Sequence, residues 1–196
     1  MKRVVALTLL VMICAVSLLG CTSAEEIKKR DMTISQLQTK VTQLEAEVKK
    51  LGEQKPKVTA TLYFVKSLPT EFYLFPEERQ VQGQKPAELM RAALQELIAG
   101  PKTPGLQPVL PKDAKVLSVT TDKGLATVNF SAEITRMNVG SRGEALALAA
   151  IANTVTKIGI VDRVQVLVDG KKVETLGGHV DASKPIRRSD SLVIFE

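Results

Sequence analysis

The sequence predicts an α+β domain, a mixed β-sheet with two packed helices, preceded by an N-terminal coiled-coil helix. Three observations carry that reading. Apolar residues recur every seven positions between Ile27 and Leu51. From Val58 onward the period drops to two. Two longer segments with helical signatures, near residues 86–99 and 144–158, then separate runs of strand-like alternation.

Residues 1–20 read as a signal peptide. Lys2 and Arg3 open it, and Val4 to Leu19 is an apolar run too short and wrongly flanked for a comfortable membrane span. It ends in Leu18-Leu19-Gly20-Cys21, which resembles the lipobox of bacterial lipoproteins. The resemblance implies cleavage before Cys21, a diacylglyceryl thioether on its sulfur, and acylation of the new amine, as with palmitate. Two or more acyl chains anchor a protein stably where one does not. Cys14 leaves with the signal and Cys21 is modified. The mature chain then holds no free thiol and no disulfide, so thiolate nucleophiles and thiolate metal sites are not expected.

Residues 21–57 form the lipidated cysteine, a stalk and a linker. Ile27, Ile34, Val41 and Val48 fall at heptad a; Leu37, Leu44 and Leu51 fall at d. β-Branched residues at a with leucine at d favour parallel two-stranded coils. Lys40 at g precedes Glu45 at the next e, an attractive pair across a parallel dimer. Arg30 takes the first d position and weakens that end. The expected interface is Ile27, Ile34, Leu37, Val41, Leu44, Val48 and Leu51, in a parallel homodimer or against another coil. A single amphipathic helix lying on a membrane or domain is the other reading of the same stripe. Gly52, followed by Pro56, ends the helix.

Residues 58–196 read as the globular domain. In "VTATLYFV", Val58, Ala60, Leu62 and Phe64 alternate against Thr59, Thr61 and Tyr63, a strand with one buried face. "EFYLF" is a second short strand that Pro76 is expected to interrupt, with "RQV" as a continuation. "KPAELMRAALQELIAGP" is a helix with Pro86 at its first position and Gly100-Pro101 as its stop; Met90, Leu94 and Leu97 line one face. Pro101, Pro104, Pro108 and Pro111 then space a stiff segment, either a tethered crossover or a contact surface.

"AKVLSVTTDKGLATVNFS" is strand, turn at Asp122-Lys123-Gly124, strand. Ser141-Arg142-Gly143-Glu144 has the form of a capping box, in which Ser141 and Glu144 satisfy each other's amides. The helix "EALALAAIANTVTKI" is apolar almost all round and should be buried, ending at Gly159. "DRVQVLVDGKKVETL" is a hairpin about Asp169-Gly170, and "SLVIFE" is expected as a last strand.

The runs "LYFV", "ELMRAALQELIAGP", "LPKDAKVLSVTTDKGLATVNFS" and "IANTVTKIGIVDRVQVLVDGKKVETLGGHVDASKPIRR" together resemble a GerMN domain, over about residues 58–190. That module occurs in sporulation and germination lipoproteins and in other envelope lipoproteins. The resemblance implies a fold akin to the ring-building motifs of sporulation channel proteins. It also implies assembly with envelope proteins, at the outer face of the cell membrane, and no known reaction.

The stretch "GGHVDAS" holds His179, Asp181 and Ser183, the residue types of a hydrolytic triad, and His179 is the only histidine. Residues at i, i+2 and i+4 of a strand share a face but stand ~6.6 Å apart per step. A triad needs mutual hydrogen-bond contact, normally between separate elements. The expectation is therefore a local turn from Asp181 and Ser183, with His179 bonding backbone and no catalytic residue. One histidine without a thiol makes no zinc site, no EF-hand loop appears, and no Walker or dinucleotide glycine motif is present, so no cofactor is expected. The chain carries 27 basic and 21 acidic residues, a net +6; losing Lys2 and Arg3 leaves 25 − 21 = +4. The basic residues are scattered and no nucleic-acid-binding signature is found, so no nucleic acid partner is expected. The function these readings imply is a lipid-anchored, non-catalytic envelope scaffold. The alternative is a wall-polymer-binding module or a wall-modifying enzyme.

Overall fold

The computed structural model describes residues 25–48 and 55–195. The expected signal peptide (residues 1–20), Cys21, Leu51 and Gly52 lie outside the described residues. The chain divides into two compact units, Met1–Gln54 and Lys55–Glu196.

In the first unit, residues 25–48 form one helix, α1. The hydroxyls of Thr33, Thr39 and Thr42 donate to the carbonyls four residues back, and Arg30 donates to Glu26 at 3.0 Å. These are local satisfactions of a solvated helix.

The second unit is α+β, as the alternation predicts, but its strands divide between two sheets. The first is antiparallel with order β2-β1-β3, from β1 (Lys57–Ser67), β2 (Phe72–Gln82) and β3 (Leu106–Gln107). The second is mixed, with order β4-β5-β6-β7 and β8 paired to β6; its strands are β4 (Val116–Asp122), β5 (Leu125–Phe130), β6 (Arg163–Val168), β7 (Lys171–Lys172) and β8 (Ile186–Arg187). β5 and β6 run parallel, which requires a crossover, and α3 (Ser141–Lys157) supplies it. α2 (Pro86–Ala99) follows the first hairpin and packs on β1, β2 and β4.

Three details correct the sequence reading, each for a physical reason. Pro76 does not interrupt β2, which pairs with β1 without a break from Phe72 to Gln82. β2 is an edge strand, and the Leu74 amide points away from β1 to the Leu192 carbonyl. Pro76, two residues on, turns its missing N–H to that same outer side, where no ladder bond is lost. Tyr63 is buried although it lies on the face opposite Leu62 and Phe64, because that face of β1 is covered as well, with Arg188 and Asp190 of the closing segment beside it. Burial raises the Tyr63 hydroxyl above its ordinary pKa, with Asp190 adding to the rise and Arg188 opposing it. "SLVIFE" makes only one parallel bridge, Val193 to Leu74, while the terminal strand proper is β8. The proline-spaced segment is indeed a crossover, but it also adds β3 to the first sheet and buries Leu106, Val109 and Leu110.

The core is one cluster reaching from Leu62 and Phe64 of β1 to Phe130 of β5 and Val166 of β6, with α2 and α3 contributing. Each fully buried side chain of this size contributes roughly 1.5–3 kcal/mol. α3 is buried from Leu146 to Val155 without a gap, as its all-round apolar composition requires.

Candidate functional site

α3 does more than fill the core: two of its three buried polar residues, Glu144 and Asn153, hold the closing segment of the domain. Glu144 is fully buried. One of its carboxylate oxygens accepts the backbone N–H groups of Leu176 (2.7 Å) and Gly177 (2.8 Å); the other accepts those of His179 (2.7 Å) and Val180 (3.1 Å). Burial alone would push this carboxyl up, but the four N–H groups outweigh it and hold its pKa below the usual carboxylate range. The capping box is therefore not formed. Gly140 is the N-cap, with no side-chain cap bond, and Ser141 is the first helical residue. A carboxylate inside the domain gains more from four backbone donors than from one exposed amide.

The double glycine before His179 fits this arrangement. Gly178 has φ +93°, open to glycine at little cost, and a Cβ on Gly177 would lie 3.3 Å from the Glu144 carboxylate. Asn153, also fully buried, accepts the Ser189 N–H and donates to the Ser189 carbonyl, both at 2.9 Å. The two clamps grip residues 176–180 and residue 189, on either side of the short strand β8.

Within "GGHVDAS" the expected local turn is present. Asp181 accepts both the amide of Ser183 (2.9 Å) and its hydroxyl (2.6 Å). The Ser183 amide and hydroxyl bonds hold the Asp181 carboxyl below its ordinary pKa. His179 is exposed, and its backbone, not its ring, makes the anchoring bond. Among the described residues no side chain hydrogen-bonds the His179 imidazole, so His179, Asp181 and Ser183 are neighbours in sequence without triad geometry. Also among the described residues, no group of three or more His, Cys, Asp and Glu is placed to hold a metal ion.

A third buried polar group lies on β2. Arg79 donates to Glu77, to Glu96 (2.8 Å) and to the Gly100 carbonyl (3.0 Å), with its guanidinium over the Phe64 ring. Glu77 in turn accepts the amides of Lys102 and Thr103. Burial pushes the Glu77 carboxyl up; Thr103 and Arg79 overcome that and lower it. The network fixes the loop after α2. The sequence patterns point to none of Glu144, Asn153, Glu77 or Arg79 as an anchor. For Glu144 and Asn153 the available signal is a charged or amide residue inside an otherwise apolar helix.

On α1 the heptad stripe is uncovered. Ile27, Ile34, Leu37, Val41, Leu44 and Val48 are each between 51 % and 67 % exposed. An isolated helix of this length is marginal in water, so six large apolar residues on one face call for a partner. Among the described residues, no helix is long and apolar enough to cross a membrane.

Residues 61–174 match the family Germane, described as sporulation and spore germination. Among curated proteins nothing matches the chain. Among solved structures it is similar to a candidate lipoprotein from Clostridium perfringens, with 32 % identity and a TM-score of 0.51 over 70 % of this chain and 93 % of that one. It is also similar to the tandem GerMN domains of the sporulation protein GerM from Bacillus subtilis, with 24 % identity, a TM-score of 0.58, and 70 % and 48 % coverage. The first GerMN domain of the same protein gives 22 %, 0.53, 67 % and 98 %. The two Bacillus structures show that the α+β fold is that of a GerMN domain. Germane is a sporulation and germination family, not a known enzyme family. With the match running over more than half its length, the chain belongs to the Germane family of sporulation and spore germination.

Proposed function

We propose that this chain is a lipid-anchored, non-catalytic interaction module of the bacterial envelope, working in a sporulation or germination assembly. Cys21 carries the lipid and holds the protein at the outer face of the cell membrane. The stalk pairs two copies in parallel, and the GerMN domain docks other envelope proteins. The observation that carries this reading is the uncovered stripe on α1. Its a and d residues are of the types that pair in parallel, and Lys40 and Glu45 are at positions that attract across such a pair. Two chains anchored at their N-termini start in the parallel orientation. The similarity to a candidate lipoprotein supports the anchor, and the family supports the setting.

Sedimentation equilibrium of residues 22–196 tests the pairing. The expected result is a dimer that becomes a monomer in the double variant Ile34→Asp, Val41→Asp, with the domain still folded. A dimer that survives both substitutions, or a monomer in the parent, overturns it.

A further inference from the structure

A sheet edge with unpaired N–H and C=O groups is a template for another strand, and proteins blunt such edges when they have no use for them. This domain blunts all but one of those described. The outer edge of β2 carries Pro76 and the bridge to Val193. β3, β7 and β8 are two residues each. β4 is different. It is seven residues long and terminal in its sheet, with no proline and no lysine between Val116 and Asp122; its one irregularity against β5 falls between Val116 and Ser118, and from Ser118 to Asp122 the pairing is regular. Leu117, Ser118, Thr120 and Thr121 are exposed.

The hairpin turn fixes which backbone groups are free. Lys123 (φ +44°) and Gly124 (φ +79°) form a two-residue turn, so Asp122 and Leu125 exchange ladder bonds, as do Thr120 and Thr127. Val119 and Thr121 then direct their N–H and C=O groups away from β5. Beside the start of this edge, between α2 and β4, lies a groove of about 410 Å³. Ile98 and Leu117 give it apolar walls; Arg91 and Lys115 give it two cations, and no carboxylate lines it.

We infer that the β4 edge is a β-augmentation site. It takes an extended segment of another protein, antiparallel to β4, whose acidic C-terminal end enters the groove beside Arg91 and Lys115. Backbone pairing supplies the attachment and the two cations supply the selection for acidic ends. This deepens the interaction-module reading by naming where a partner binds. It is independent of the stalk, so the stalk pairing can fail without affecting it.

The test is amide exchange by NMR on the isotope-labelled full chain in nonionic detergent. The probe is an alternating Thr-Val heptapeptide ending in two glutamates; its counterpart ends in two lysines. The acidic probe should slow exchange of the Val119 and Thr121 amides by about tenfold or more while leaving Thr120 and Asp122, already in the ladder, unchanged. The lysine-ended probe should protect less. Thr121→Pro, which removes an outward N–H only, should abolish protection. The double variant Arg91→Glu, Lys115→Glu keeps the edge intact and should reverse the preference between probes. No protection of Val119 and Thr121 at saturating probe overturns the site, and equal protection by both probes overturns the acidic partner. Self-association that Thr121→Pro removes would assign the edge to a second copy of this chain and overturn a foreign partner.

Discussion

Glu144 accepts the backbone N–H of His179 at 2.7 Å, so the loop bearing the lone histidine is hung from the buried helix α3. Three more amides share the same carboxylate. Glu144→Gln keeps the shape but replaces one oxygen by an NH2 group facing two N–H donors. The expected loss is about 2–4 kcal/mol, the range for breaking a buried charge-assisted set of bonds. Urea denaturation measures it. Asp181→Ala, which touches only the exposed local turn, should leave the midpoint unchanged. Equal effects from both substitutions would mean that Glu144 is not the anchor.

The same carboxylate sets the acid limit of the fold. Glu144 and Glu77 both have folded pKa values below the ordinary carboxylate range. Groups lowered on folding contribute stability that is fully present above the unfolded pKa, about 4.3 for glutamate, and lost as pH falls through the folded value. The urea midpoint should therefore be level with respect to these groups above about pH 5 and drop below about pH 4. In Glu144→Gln that acid drop should be shallower, since one of the responsible groups is gone. A parent midpoint that stays level down to about pH 3 would contradict the assignment.

Periodicity carried much of the fold. The alternation of β5, the Pro86 start of α2, the Lys123-Gly124 and Asp169-Gly170 turns and the all-round apolar α3 follow from local rules and are found where expected. What local rules miss is tertiary. Whether Tyr63 faces water depends on what covers the far side of β1, and Pro76 is harmless only because β2 is an edge. Glu144 sits at the capping-box spacing from Ser141, so the local rule assigns it to the helix end; its actual partners lie some thirty residues later, at Leu176 to Val180. The site was legible in part. The turn made by Asp181 and Ser183 follows from side-chain chemistry, whereas the role of Asn153 requires knowing that Ser189 returns to α3.

That return supports a prediction about the chain's last described segment. Asn153 mimics a backbone strand, offering Ser189 one acceptor and one donor at 2.9 Å each. Beyond Ser189 the chain reaches β2, where Leu74 donates to the Leu192 carbonyl (2.7 Å) and accepts from the Ile194 amide (2.9 Å). These two bonds flank Val193, which is buried in the core and donates its amide to the Asp190 carbonyl, and fixing Ser189 sets the register in which they form. Asn153→Ala strands two backbone groups of Ser189 and leaves a small void in α3, at a cost of about 1–3 kcal/mol. Its distinguishing effect is directional: the Ile194 amide should exchange markedly faster, while the His179 amide, held by Glu144, should not change. Amide exchange measured at both positions in one sample decides it. Faster exchange at His179 as well would show that the two clamps open as one unit and do not grip the segment separately.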